Sequence, residues 1–237
     1  MKAVIVFDVI ETLLDLRALD PKFEAIFGTA EARKEWFQQL LQSALVANST
    51  GAYRDFTSLG SAALRMTAER HGIALSDAQK KGIEDTVRKL PAHPDVIPGL
   101  ERLRRSGFRL ATLTNSTQQT AKSQLESANI TEYFEKIFSV DSVRRYKPSP
   151  EPYRMAASEL GVEIGDLLLV AAHAWDIAGA SAAGCRTAFV KRPDKVLDPD
   201  APKPDYEVKD IEELSSKLAA ASAVSRKSLQ AEQQEAR

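Results

Sequence analysis

Ala3-Val4-Ile5-Val6-Phe7-Asp8-Val9-Ile10-Glu11-Thr12 is the stretch that decides the fold. Ala3 to Phe7 is a short apolar run rich in β-branched residues, and it reads as a buried strand that ends at Asp8. Four similar runs follow: Leu110–Leu113, Ile137–Val140, Leu167–Val170 and Thr187–Val190. Helical spacing fills the gaps between them, at Val96–Arg105, Ser116–Ala128, Glu151–Leu160 and Ala174–Ala183. Gly107, Gly161 and Gly184 supply stop signals. Strands alternating with helices of this length predict an α/β fold, with a parallel sheet flanked by helices on both faces.

The segment from Leu14 to Pro94 breaks this rhythm. It holds no convincing strand, and Glu31–Val46, Phe56–His71 and Ser76–Leu90 read as helices, the last opened by a capping box on Ser76 and Gln79. The expected organisation is therefore a core of residues 1–13 and 95–222, a helical insertion of residues 14–94, and a polar tail, 223–237, that is frayed or disordered. An insertion after the first strand stands over the C-terminal ends of the strands, where open α/β sheets bind ligands.

Composition excludes several classes. Of 237 residues, 32 are Lys or Arg and 33 are Asp or Glu, a net charge of -1, so there is no electrostatic footprint for nucleic acid or an anionic membrane. No apolar run is long enough to span a bilayer, and the N-terminus is too short and too soon charged for a signal peptide. Three His and one Cys cannot build a zinc cluster, and Cys185 reads as a small buried hydrophobe. The expectation is a cytoplasmic protein.

Polar groups stand at four strand ends in order. Asp8 and Thr12 follow the first strand, Thr114, Asn115 and Ser116 the second, Lys147 the third, and His173 and Asp176 the fourth. A parallel sheet gathers such ends into one crevice. There, Asp8 is a candidate nucleophile able to form a covalent ester, and Lys147 a cation that keeps it ionised. Ser116-Thr117-Gln118-Gln119 has capping-box spacing at a helix start, with Ser116 as the cap, and a helix start suits an anion. Ser149 and Pro150 mark a second helix start. Taken singly, each of these residues is also explained as a cap, a turn or solvated surface; their ordered coincidence is the signal.

That ordered set resembles the haloacid dehalogenase superfamily, and within it the type II L-2-haloacid dehalogenases. Phe7-Asp8-Val9-Ile10-Glu11-Thr12 is similar to its first motif, Leu113-Thr114-Asn115-Ser116 to the second, and Tyr146-Lys147-Pro148 with Tyr153 to the third. Ala174-Trp175-Asp176-Ile177-Ala178-Gly179-Ala180 closely resembles the fourth. The resemblance implies a Rossmann-like core with a helical cap and hydrolysis of small (S)-2-haloacids to (R)-2-hydroxy acids through an Asp8 ester. It also implies a homodimer, with no cofactor or metal. Superfamily phosphatases carry an acid at the position of Ile10 and a magnesium-binding Asp at the fourth strand, where this chain has Ala171-Ala172.

By the same resemblance, Lys147 and Asp176 orient Asp8 and water, Thr12 holds that pair, and Thr114, Asn115 and Ser116 receive the substrate carboxylate. Ile10 and Tyr153 belong to the substrate site, and the aromatic residues Trp36, Phe37, Tyr53 and Phe56 of the insertion, with Trp175 of the core, either line an apolar pocket suited to an alkyl halide or pack between the helices. The chain also departs from the family pattern. Phe37 falls where the family has a halide-binding Arg, with Arg33 one turn earlier as a substitute. His173 replaces an Asn near the catalytic water, where it can bind that water or act as a base. Ala171 replaces a water-holding Ser, and Glu11 stands where a Gly is usual. The competing expectations are a relative acting on a non-halogenated substrate such as a phosphate ester, and a non-catalytic binder of small carboxylates.

Overall fold

Strand β1 spans Val4–Phe7 and lies at the centre of a six-stranded, all-parallel sheet in the computed structural model, which describes residues 4–221. Its partners are β2 (Arg109–Thr114) on one side and β4 (Leu167–Ala171) on the other. β3 (Lys136–Ser139) lies beyond β2, and β5 (Arg186–Val190) and β6 (Tyr206–Val208) lie beyond β4, giving the order β3-β2-β1-β4-β5-β6. Every residue of β1 is buried because the pleat sends Ile5 and Phe7 into one core cluster and Val4 and Val6 into another. The α/β reading holds. The three-residue edge strand β6 has no counterpart in the apolar runs, and the expected tail, 223–237, lies outside the described residues.

Between β1 and β2 run α1 (Asp20–Phe27), α2 (Glu31–Thr50), α3 (Phe56–Arg70) and α4 (Asp77–Val87), followed by α5 (Val96–Arg105). The Ser76–Gln79 capping box is present at α4. The short α1, which carries a proline in its first turn, lacks a clear sequence signal. The two ends of this helical stretch are tied together. Asp15 N–H donates to Pro91 O at 2.8 Å and His93 N–H to Leu13 O at 2.9 Å, so the chain leaves and re-enters the sheet region through a paired neck.

The remaining helices are α6 (Gln118–Ser127), α7 (Pro150–Leu160), α8 (Ala174–Ala183) and α9, residues 211–221. Helices α7 and α8 cover the Val4/Val6 face. Helices α5 and α9 pack on the Ile5/Phe7 cluster, which continues into α1, α2 and α3. Among the described residues, no helix is long and apolar enough to cross a membrane.

Candidate active site

The C-terminal ends of β1, β2 and β4, with the segment before α7, bring Asp8, Thr114, Asn115, Lys147, His173 and Asp176 together, as the strand-end pattern predicts. Lys147 Nζ is fully buried and donates to Asp8 Oδ1 at 2.9 Å, Asp176 Oδ2 at 2.6 Å and Leu113 O at 2.9 Å. Its ammonium therefore fills the space between the two carboxylates with its three donors used. Gly179 makes this approach possible, because α8 packs its backbone directly on Pro148, the neighbour of Lys147.

Burial alone would raise the pKa of Asp8, but the charge of Lys147 and the neighbouring His173 outweigh it and hold Asp8 well below the usual carboxylate range. For Asp176, burial prevails over Lys147, with repulsion from Asp8 added, and the pKa rises. Burial would lower Lys147, yet the two carboxylates raise it, so the ammonium stays charged. The arrangement holds Asp8 as an anion with little water around it.

Thr12 sits elsewhere than the resemblance implies. Its hydroxyl donates to Asp8 Oδ2 at 2.6 Å and accepts from Ala172 N–H at 3.0 Å, so it fixes Asp8 itself rather than the Lys147–Asp176 pair. The turn from Val9 to Leu14 folds back on β1 and brings Thr12 beneath the carboxylate.

Asp8, Ile10, Phe37, Leu41, Phe56, Thr114, Asn115, His173 and Trp175 enclose a small cavity beside the Asp8 carboxylate. Its walls are largely apolar, with Asp8, Asn115 and His173 as the polar points. Asn115 Oδ1 accepts from Lys147 N–H at 3.0 Å, which leaves the amide NH₂ as the end available to the cavity.

Four expected pocket residues, Tyr153, Tyr53, Ser116 and Trp36, lie outside these walls. Tyr153 is fully buried on α7, and its hydroxyl donates to Asp176 Oδ1 at 2.6 Å; it buttresses the acid from behind. Tyr53 stacks on Tyr146 with ring centres 5.2 Å apart and hydrogen-bonds Asp141, away from Asp8. Ser116, with Trp36, lines an adjoining, mainly apolar cavity between α2, α3 and α4 that shares Ile10, Phe37 and Phe56 with the first, and the Ser116 hydroxyl is buried and unpartnered. The cap of α6 is Thr117, which accepts from Thr120 N–H at 3.2 Å. Asp141 also takes Gln118 N–H at 3.1 Å, so a protein carboxylate already occupies this helix start. The anion site expected there is filled.

Arg33 does not replace the missing arginine. It is held by Asp20, with Glu11 3.9 Å away, and is not a wall of the Asp8 cavity. Phe37 does face that cavity, with its ring centre 6.2 Å from that of His173.

Glu11 is the residue whose role the sequence did not reveal. It occupies a left-handed turn (φ 64°), which explains why a glycine suits this position. Its carboxylate accepts from His173 Nε2 at 2.8 Å and Lys195 Nζ at 2.6 Å. His173 is buried, stacks on Trp175 with ring centres 5.0 Å apart, and turns Nδ1 toward Asp8 Oδ2 at 3.4 Å. Burial would lower the pKa of His173, but Asp8 and Glu11 outweigh it and raise the value. Histidine thus bridges two anions.

A parallel sheet presenting a desolvated Asp, a bridging lysine and a second Asp under a helical insertion defines the class of hydrolases to which the comparisons lead. The description of the haloacid dehalogenase-like hydrolases matches residues 2–184, and the chain belongs to that family. It is similar to (S)-2-haloacid dehalogenase 1 of Pseudomonas sp. (strain CBS-3), at 33% identity over 80% of this chain and 85% of the relative. It is also similar to haloacetate dehalogenase H-2 of Moraxella sp. (strain B), at 27% identity over 86% and 92% of the two chains. The crystal structure of the L-2-haloacid dehalogenase RSc1362 superposes with a TM-score of 0.88, at 26% identity over 92% of this chain and 98% of the other.

Proposed function

We propose that the protein is a hydrolytic dehalogenase of small (S)-2-haloacids, releasing halide and the inverted (R)-2-hydroxy acid. The observation that carries this reading is the placement of Asp8: a carboxylate anchored by Lys147 and Thr12 at the edge of a small, mostly apolar cavity. The names of the relatives point the same way.

In the first step an Asp8 oxygen attacks C2 opposite the halogen. A C2–O bond forms, the C2–halogen bond breaks, and halide leaves with its electron pair. Ile10, Phe37 and Trp175 flank the alkyl halide, and desolvation sharpens the nucleophile. The Asn115 amide and Thr114, both on the cavity wall, receive the substrate carboxylate. In the second step water attacks the Asp8 carbonyl carbon and the ester breaks at its acyl–oxygen bond, so configuration at C2 inverts only once. Lys147, held by Asp176, supplies positive charge to Asp8 as the hydroxy acid leaves.

The residues do not fit the superfamily's magnesium chemistry. Ala172 offers no side-chain oxygen where phosphatases carry the magnesium-binding Asp, Ile10 cannot donate a proton where they carry an acid, and the Lys147 ammonium lies between Asp8 and Asp176. Hard cations need several oxygen ligands, so the reaction is assigned to the side chains alone. Residues 14–94 act as the cap over this site, entered through the paired neck. The same reading carries the homodimer that the resemblance implies and the cytoplasmic setting expected from composition.

Halide release from a panel of (S)-2-chloropropionate, fluoroacetate and simple phosphate esters tests the reading. The wild type releases halide with or without EDTA, and Asp8→Asn releases none. Phosphate release without halide release would contradict it.

A further inference from the structure

We propose that the substrate is a 2-haloacid carrying an unbranched alkyl chain longer than methyl on C2, and that the apolar cavity between α2, α3 and α4 receives that chain. This rests on the dehalogenase reading above and names its substrate class. The geometry that carries it is the continuity of the two cavities. Ile10, Phe37 and Phe56 line both the space beside Asp8 and the space beyond it. A group on C2 that passes these side chains leaves the first cavity and enters the second.

The second cavity suits hydrocarbon. Leu16, Trp36, Leu40, Leu64, Ile83 and Val87 supply its walls, and its mouth opens between α3 and the end of α4 at Ser61, Glu84 and Arg88. It encloses about 640 Å³, the open mouth included. The Trp36 indole is fixed, because its Nε1–H donates to Gly60 O at 2.9 Å, so the ring forms a wall instead of turning into the space. Burying methylenes among such side chains is favourable in proportion to the apolar area removed from water. The polar end of the substrate stays behind, with Thr114 and Asn115 on its carboxylate and Asp8 facing C2.

Gly60 distinguishes a space that is kept from one that is left over. It lies inside α3, where glycine weakens a helix relative to alanine. Its packing does not require a glycine. A methyl group placed on Gly60 would lie 3.6 Å from Leu40 Cδ2 and 3.9 Å from Trp36 Cζ2, ordinary contact distances. Gly60 is part of the cavity wall, so a longer side chain there would occupy the room that the alkyl chain needs. The absent side chain costs the helix some stability and keeps the passage from Asp8 toward the mouth wide.

The test compares kcat/KM for (S)-2-bromohexanoate and (S)-2-bromopropionate, and inhibition by hexanoate and propionate, in wild type, Gly60→Ala and Gly60→Leu. The two bromoacids share the reacting carbon and the leaving group and differ only in chain length. The wild type favours bromohexanoate by about tenfold or more, as added methylenes in an apolar pocket do. Hexanoate inhibits it at lower concentration than propionate. Gly60→Leu lowers the bromohexanoate-to-bromopropionate ratio by about tenfold and Gly60→Ala by less. Melting curves report whether leucine disturbs the fold, and the alanine variant, whose added methyl fits, keeps the series readable if it does. A wild type that prefers bromopropionate, or a ratio that neither variant changes, would overturn the proposal while leaving the dehalogenase reading intact. A wild type that releases no halide from either acid would remove both.

Discussion

A methyl group placed on Gly179 would lie 2.7 Å from the carbonyl oxygen of Pro148 and 2.8 Å from its Cα. The fourth motif thus shapes the third: α8 carries Asp176 against the segment that carries Lys147, and only a glycine permits the contact. Gly179→Ala sets two effects against each other. Alanine favours the helix by about 1 kcal/mol, but the obstacle is backbone, which cannot swing aside as a side chain can. The clash prevails, with a net cost of about 1–3 kcal/mol. A lowered urea midpoint, together with a fall in kcat as Lys147 is displaced, checks this.

Lys147→Met removes the cation shared by Asp8 and Asp176. Breaking a buried pair costs about 3–5 kcal/mol, and the two carboxylates relax the strain by keeping a proton. The sign with pH follows from Asp8. Its depressed pKa stabilises the fold above its ordinary value of 3.8, and that contribution fades as pH falls through the lower native value. Denaturation midpoints should therefore show a wild-type excess over Lys147→Met that shrinks on acidification. Halide release by the variant should fall steeply, because a protonated Asp8 is not a nucleophile.

Tyr153→Phe separates a buttress from a pocket wall. The tyrosine hydroxyl satisfies Asp176 Oδ1, so its loss leaves a buried acceptor unpaired at a cost of about 1–3 kcal/mol. KM should be unchanged while kcat and the melting temperature fall. A raised KM with normal kcat would restore Tyr153 to substrate binding.

His173→Asn should change the alkaline side of stability. The raised pKa of His173 stabilises the fold below its ordinary value of 6.5, and this is lost as pH rises through the native value. The difference in unfolding free energy between wild type and His173→Asn should diminish on that rise, as urea titrations at stepped pH would show.

The sheet is legible because five strands carry apolar runs, and Asp8, Lys147 and Asp176 because strand order gathers their ends. The edge strand β6 escaped notice because Tyr206-Glu207-Val208 is short and buries only Val208. Ser116 and Thr117 both carry a hydroxyl before α6, and only the fold shows that Thr117 is the one that meets a free N–H. Tyr53 and Tyr153 face inward to Asp141 and Asp176, partners far away in sequence. The role of Glu11 is not legible in the sequence because its partners, His173 and Lys195, lie 162 and 184 residues along the chain.

The covalent Asp8 ester is the central claim, and a single turnover in water labelled with heavy oxygen tests it most directly. With enzyme in excess over (S)-2-chloropropionate, the ester route places the label in the Asp8 carboxylate and leaves the first hydroxy acid unlabelled. Label found in the product of that first turnover, with Asp8 unlabelled, would mean that water attacks carbon directly and would contradict the account.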